Sequence, residues 1–269
     1  MKTLELGIVS DEISPDFAVA VKYAVEWDIR IVELRMLQSG RVPSVQTAEI
    51  KSVGRMAREN GIRISALSPG IFKHTLSQTK EVGHEIANTL PRTIDLAGEL
   101  GTNLIIVFGF QQENNEDPGR ESLWLDAMRR AAEIAGKAGM DLAIENEPGF
   151  WCSSGATTAG LLKKAEMKNL GANWDPCNAY GAEPRPYPDG YQAVKEFVRN
   201  VHVKDTLEGS LIRCVPVGEG AIDWKGQMEA LMRDAIVSHV TIETHCLPLI
   251  EKSKQNVETL RRYLAEQSS

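Results

Sequence analysis

The stretch Leu142-Ala143-Ile144-Glu145-Asn146-Glu147-Pro148-Gly149 is a short apolar run that ends in two carboxylates and a breaker. It reads as a buried strand stopping at Pro148 and Gly149, with Glu145 at its carboxyl end. A charge at that position is costly to desolvate unless a cation or hydrogen bonds receive it. Three later segments repeat the arrangement: Asn173-Trp174-Asp175-Pro176, Val201-His202-Val203-Lys204-Asp205 and Thr241-Ile242-Glu243-Thr244-His245. The chain therefore presents two Glu, one Asp and one His, each at the tip of a different strand.

Outward from these segments the sequence alternates between β-rich runs and longer amphipathic stretches. Leu4–Val9 reads as a strand, and Ser14-Pro15-Asp16 caps a helix running to about Trp27. Arg30–Leu34 precedes a helix from Ser44 to Asn60, stopped by Gly61; Arg63–Leu67 precedes a helix over Val82–Leu100, stopped by Gly101. Asn103–Phe108 and a helix over Arg120–Ala138 follow, then Asp141–Glu145 and Thr157–Ala165. Leu170–Trp174 leads through a Pro-rich loop to a helix near Tyr191–Arg199, and Asn200–Lys204 into a long loop, with room for a short hairpin, from Asp205 to Ile222. A helix opening at Asp223-Trp224, the strand His239–Ile242 and a helix over Glu251–Glu266 close the chain. Eight strands, each followed by a helix, in 269 residues match a single (β/α)8 barrel domain over residues 1–269. A doubly wound open sheet is the alternative, but no G-x-G-x-x-G follows the first strand. Barrel enzymes carry their chemistry at the carboxyl ends of the strands, where every residue named above falls.

With 42% hydrophobic and 25% charged residues the composition is that of a globular domain with a sizeable core, and no Pro/Gly/Ser-rich linker divides it. A net charge of −7 argues against nucleic acid as a partner, since phosphate binding needs a basic footprint. No run approaches the ~20 apolar residues of a membrane span. The start, Met1-Lys2-Thr3-Leu4-Glu5-Leu6, lacks the apolar core of a signal peptide. The four cysteines (152, 177, 214 and 246) form no C-x-x-C pair, so a disulfide framework or structural zinc site is not expected and a cytoplasmic location fits. Cys177, two residues past Asp175, reads as a small apolar filler with the pocket wall as its other possible place.

Carboxylate oxygens plus one imidazole suit a borderline-to-hard divalent ion: Mn²⁺, Co²⁺, Mg²⁺ or Zn²⁺. Without thiolates among the four, an open site that admits substrate oxygens is expected. A metal chelated by adjacent carbonyl and hydroxyl oxygens of a sugar acidifies the neighbouring C–H, and a carboxylate on either face of that carbon moves the proton. Glu145 and Glu243, on non-adjacent strands, are placed to be that pair. Any one of the four taken alone is explained equally well as a helix cap or salt-bridge partner; four in consecutive βα units are not.

These residues carry a resemblance. Ala143-Ile144-Glu145-Asn146-Glu147, Asn173-Trp174-Asp175-Pro176-Cys177-Asn178-Ala179, His202-Val203-Lys204-Asp205, Val217-Gly218-Glu219-Gly220-Ala221-Ile222-Asp223-Trp224 and Ile242-Glu243, in that order, resemble the sugar phosphate isomerase/epimerase superfamily, the xylose-isomerase-like barrels. The superfamily includes ketose 3-epimerases, hydroxypyruvate isomerases and inosose dehydratases. The resemblance implies that Glu145, Asp175, His202 and Glu243 bind one divalent metal, Mn²⁺ first, and that Glu145 and Glu243 are the acid/base pair. It also implies a small carbohydrate partner and a homo-dimer or tetramer. One position departs: ketose 3-epimerases usually carry a substrate-binding His three residues after the metal Asp, where this chain has Asn178, an amide that does not titrate near neutral pH.

Further candidates flank the set. Asp11 and Glu12 follow the first strand, where acids also suit a helix start, and Glu33 and Arg35 end the second. Lys73, in Ser68-Pro69-Gly70-Ile71-Phe72-Lys73-His74, matches the superfamily's third loop, while His74 reads as a solvated loop residue. Glu147 shares the face of Glu145, and Lys204 that of His202, so both could meet substrate; a salt bridge from Lys204 to Asp205 or Glu219 is the competing reading. Arg213, in the seventh loop, could clamp a hydroxyl or phosphate, and Trp151, Phe110 and Trp174 could wall a sugar, with core packing as the alternative for Trp174. No Gly-rich phosphate loop is evident, which favours a non-phosphorylated substrate. The expected substrate-binding set is thus Glu147, Asn178, Lys73, Lys204, Arg213 and Glu12. The expected activity is isomerisation or epimerisation of a small sugar, ketose or sugar acid. Dehydration of a keto-polyol at the same site and a non-catalytic sugar-binding barrel are the alternatives.

Overall fold

A computed structural model describes residues 4–113, 119–210 and 213–266. Eight parallel strands close a barrel: β1 (Glu5–Val9), β2 (Ile31–Leu34), β3 (Arg63–Leu67), β4 (Leu104–Phe108), β5 (Asp141–Glu145), β6 (Leu170–Trp174), β7 (Val198–Val203) and β8 (His239–Ile242). They neighbour one another in sequence order, and β1 pairs with both β2 and β8. The strands are apolar runs because helices cover their outer faces and other strands fill the space within; every residue of β4, Leu-Ile-Ile-Val-Phe, is buried. The helices supply matching stripes. In α4 (Arg120–Lys137) the buried residues Trp124, Ala127, Met128, Ala131, Ala132 and Ala135 recur at helical spacing. Here α1 to α3 are Phe17–Glu26, Thr47–Glu59 and Leu90–Leu100, and α5 to α7 are Gly155–Ala165, Trp224–Asp234 and Leu249–Glu266.

Local chemistry sets the boundaries. Asp16 caps α1 by accepting from the Ala18 N–H, and Ser154 and Thr157 form a capping box that starts α5 two residues before the expected Thr157. The helix expected over Val82–Leu100 is three pieces: Thr79–His84, a π turn at Glu85–Thr89, and α3. Pro91 has no N–H to continue the ladder, and the wider turn sits directly before it. The helix expected to Arg199 stops at Val194, followed by a 3₁₀ turn at Lys195–Phe197. Val198 instead pairs with Ala172 and begins β7 two residues early, so sheet pairing overrides local propensity.

Register brings the strand ends to one level. Phe108 lies opposite Glu145, Glu145 opposite Asn173, Asn173 opposite Asn200, and His202 opposite Thr241. Since side chains alternate, Ile106 and Phe108 share a face, as do Ala143 and Glu145. A small apolar cluster of Ala66, Leu104, Ile106 and Ala143 therefore plugs the barrel beneath the site. A polar layer lies in the same interior: Asn200 Nδ2 donates to Asn173 Oδ1 at 3.0 Å and to Glu33 Oε2 at 3.3 Å.

His239, opening β8, is buried with Nε2 unpartnered among the described residues. Burial, aided by the charge of Arg63, lowers its pKa to about 4 from 6.5. The unfolded chain then binds one more proton than the fold between these values, so stability falls as pH drops from 6.5 toward 4, by up to ~3 kcal/mol. His239→Leu is expected to flatten that part of the stability–pH curve, read from denaturant midpoints across pH 4–7.

Candidate metal centre and active-site cavity

At the carboxyl ends of the strands opens a cavity of about 750 Å³, lined among others by Arg35, Arg41, Lys73, Phe108, Glu145, Glu147, Asn178, His202, Lys204 and Glu243. At its floor Glu145, Asp175, His202 and Glu243 each offer one donor atom, all within 4.8 Å of one another, and all four residues are buried. Each comes from the end of its strand: Glu145 closes β5, Asp175 follows β6, His202 lies in β7 and Glu243 follows β8.

The imidazole of His202 is oriented for a ligand. Nε2 lies 3.0 Å from Glu33 Oε2, and Glu33 is itself fully buried and accepts from Ser68 Oγ. Nδ1 has no hydrogen-bond partner among the described residues and faces Glu145 Oε1 at 3.5 Å and Glu243 Oε2 at 3.6 Å. A carboxylate that fixes one ring nitrogen leaves the other's lone pair for a cation. Asp175 Oδ2 is likewise buried without a hydrogen bond, although Lys204 Nζ stands 3.0 Å away. Two orphaned buried donors aimed at one point, with two further carboxylates, fit a divalent ion. With no ion bound, burial disfavours the imidazolium, but Glu33, Glu145 and Glu243 outweigh burial and hold the His202 pKa well above its ordinary value.

Glu243 is the most heavily paired acid. Lys204 Nζ stands 3.1 Å from its Oε2, and Arg35 Nη1 2.5 Å from its Oε1. Burial raises its pKa, yet the charges of Lys204, His245 and His202 drive it well below the carboxylate range. Arg35 also meets Glu12 at 2.6 Å and Asp11 at 2.9 Å. His245, with φ at +52°, brings Nε2 to 3.2 Å from Glu12; burial opposes its charge, but Glu243, Cys214 and Glu12 push its pKa up to about 12. Asp175 is shifted upward by burial, whereas Glu145 is lowered because His202 outweighs the burial cost.

The second level of candidates divides. Asn178 donates to Glu145 Oε1 at 3.3 Å and to the Asn146 carbonyl at 3.0 Å, so its amide stands beside an expected base. Asn146 and Asp175 exchange a side-chain-to-backbone pair in both directions, locking the tips of β5 and β6 together. Glu147 and Lys73 line the cavity 3.5 Å apart, Lys73 lies over the Phe108 ring, and burial together with Glu145 raises the Glu147 pKa. Lys204 lines it too, paired to Asp175 and Glu243 rather than to Asp205 or Glu219.

Other expectations need correcting. Glu12 is buried behind the wall, bound to Arg35 and to the His245 amide, and does not reach the cavity. Arg213 is exposed and outside the lining. The seventh loop is folded back by Asp205, whose carboxylate accepts from the amides of Thr206, Gly218, Gly220 and Ile222, and by a hairpin pairing Asp205–Thr206 with Cys214–Val215. Neither Phe110, stacked on Phe72, nor the fully buried Trp174, nor Trp151 lines the cavity; the aromatic wall is Phe108. His74 is not solvated: its Nε2 meets Glu85 at 2.8 Å. Cys177 is buried filler, and all four cysteines are free. Arg41 and His245, both cavity-lining, were not singled out by sequence reasoning.

The loop cage makes a specific demand. A Cβ at Gly220 would overlap Asp205 Oδ1 and the Thr206 carbonyl. Gly220→Ala is expected to destabilise the protein by roughly 1–3 kcal/mol, measured by denaturant unfolding, through strain in a packed loop.

Among the described residues no helix is long and apolar enough to cross a membrane. A sequence comparison with curated proteins finds no match. Solved structures share the fold across nearly the whole chain. A probable 3-DHS dehydratase, AsbF, involved in petrobactin synthesis from Bacillus anthracis, superposes with a TM-score of 0.81 at 16% identity, covering 96% of this chain and 99% of that one. The D-allulose 3-epimerase from Methylomonas sp., solved with D-allulose, gives 0.78 at 14% identity over 98% of each chain. The IOLI protein, solved with a zinc atom, gives 0.81 at 14% identity over 98% of this chain and 99% of that one. At such identities the likeness is one of fold. The family itself is established by sequence: residues 21–266 match the xylose isomerase-like TIM barrel family, and the chain belongs to it.

Proposed function

We propose that this protein is a divalent-metal-dependent isomerase or epimerase of a small sugar, ketose or sugar acid, moving a proton at the carbon next to a carbonyl. The observation that carries this reading is His202: buried, fixed by Glu33 through Nε2, with Nδ1 facing Glu145 and Glu243 and making no hydrogen bond among the described residues. Glu145, Asp175, His202 and Glu243 would hold the ion, with Mn²⁺ the first choice and Zn²⁺, Co²⁺ or Mg²⁺ also suited to the donor set. When bound, such an ion polarises a substrate carbonyl and acidifies the adjacent C–H.

The chain's own residues do the rest. Glu145 and Glu243 come from β5 and from the end of β8, with β6 and β7 between them, so they can address opposite faces of one carbon. Lys204 and Arg35 keep Glu243 ionised and able to accept a proton. Asn178 is placed to hold a hydroxyl beside Glu145, and Phe108 offers an apolar surface under Lys73 and Glu147. The structural relatives that are epimerases add support from fold analogy.

A second reading, dehydration of a keto-polyol, starts from the same proton removal and then expels a hydroxyl. Asn178 favours it, because an amide binds a hydroxyl without supplying the titrating group of the 3-epimerases. Proton NMR of metal-loaded protein with a ketose, sugar-acid and inosose panel in D2O distinguishes the readings. Deuterium incorporation at unchanged carbon skeleton marks isomerisation or epimerisation, and loss of water marks dehydration. No exchange into any member with any of the four ions would count against both.

A further inference from the structure

Among the described residues the cavity wall carries four Lys and Arg side chains, and three are already neutralised. Arg35 meets Asp11, Glu12 and Glu243; Lys204 meets Asp175 and Glu243; Lys73 meets Glu147. Arg41 differs: among the described residues its guanidinium makes no ion pair and no hydrogen bond, although it is half-buried and lines the cavity. Its place is built. Arg41 ends the hairpin that follows β2, paired with Met36, and its carbonyl accepts from the Ser44 amide at 2.8 Å. Met36 N–H is held by Asp11 Oδ1 at 3.1 Å, which ties the hairpin to the end of β1. Gly70, with φ at +82°, makes the space, since a Cβ there would lie 2.5 Å from Arg41 Nη1.

A guanidinium taken partly out of water, under the longer-range attraction of Asp11, Glu145 and Glu243 but with no close partner among the described residues, keeps its fork open for a planar oxyanion held through two parallel hydrogen bonds. We infer that Arg41 is the specificity residue for an anionic substrate, receiving a carboxylate at the end of the molecule remote from the reacting carbonyl. The inference rests on the proposed isomerase site and narrows its substrate class from sugars in general to sugar acids. A phosphate ester offers the same oxyanion chemistry, and the absence of a Gly-rich phosphate loop ranks it second.

The test is calorimetric titration of the purified protein, with and without Mn²⁺, using three six-carbon probes: D-gluconate, neutral D-sorbitol and D-sorbitol 6-phosphate. Wild type is expected to bind gluconate at least about tenfold more tightly than sorbitol, the scale of a charge-assisted bidentate contact. Arg41→Gln should bring the two to within about twofold, and Arg41→Lys should keep part of the preference. A preference for the 6-phosphate that Arg41→Gln also removes supports the oxyanion role and names phosphate as its source. Equal binding of all three by wild type, or a gluconate preference that survives in Arg41→Gln, overturns the inference; survival only with Mn²⁺ places the anion on the metal, and survival without it places the anion on another cavity cation. Circular dichroism melts of both variants establish that they fold. Deuterium exchange and metal content report separately on the isomerase site, so failure of one reading is not mistaken for failure of the other.

Discussion

Glu145→Gln is expected to lower the rate of substrate C–H exchange by roughly 10²–10⁴-fold, the usual contribution of one general acid or base. Glu243→Gln should do the same, for a different reason at the level of the site. Among the described residues the side chain of Glu145 is held by His202 and Asn178, so its amide replacement gives up one ion pair, and His202 keeps Glu33 as its partner. Glu243 anchors both Lys204 and Arg35, so its replacement also takes one charge partner from each of two cations, the buried Lys204 and the half-buried Arg35. Glu145→Gln is therefore expected to unfold near the wild-type midpoint while Glu243→Gln unfolds earlier. Single-turnover exchange in D2O reads the chemistry, and urea unfolding of the same preparations reads the stability. Full exchange activity in Glu145→Gln would remove it from the acid/base role.

Arg35→Met carries the second large effect. Asp11, Glu12 and Glu243 converge on this one guanidinium, and Glu12 is ionised in the fold because His245 and Arg35 overcome its burial cost. Breaking a buried pair by removing one partner typically costs about 3–5 kcal/mol, because the remaining charges stay uncompensated. Without Arg35 the carboxylates bind protons more readily in the fold, so the pH dependence has a definite sign. The loss of stability relative to wild type should be greatest at neutral pH and shrink as pH falls and the acids are neutralised. Urea midpoints at pH 7 and pH 5 measure it; an equal deficit at both would show that Arg35 acts by packing its stem rather than by its charge.

The barrel was legible because its logic is periodic. Apolar runs such as Leu104–Phe108, punctuated by Gly101 and Gly139, repeat eight times, and sheet pairing overruled local propensity only at the start of β7. Glu145, Asp175, His202 and Glu243 were legible for the complementary reason: each breaks an apolar run at its carboxyl end. What was not legible arrives through irregular backbone. Arg41 reaches the cavity on a two-residue-stranded hairpin, and His245 through a residue at positive φ, neither of which leaves a period in the sequence. The aromatic wall was misplaced because strand alternation ends at Phe108, whereas Phe110 sits at φ +61° and turns into the core. Arg213 was misplaced because the seventh loop is closed by backbone amides on Asp205, a contact that composition does not announce. Arg35, one of several acids and bases at the mouth in sequence terms, emerges as the hub of three carboxylates only in three dimensions.

The central claim is the metal centre, and elemental analysis of purified wild type beside His202→Ala addresses it directly. The geometry at His202 Nδ1 predicts about one Mn²⁺, Zn²⁺ or Co²⁺ per wild-type chain, taken up on titration if not already bound, and its loss in His202→Ala, since one of four ligands and its Glu33 anchor are disconnected together. No metal in wild type as purified and none bound on titration would contradict the account and leave Glu145 and Glu243 as a metal-independent pair.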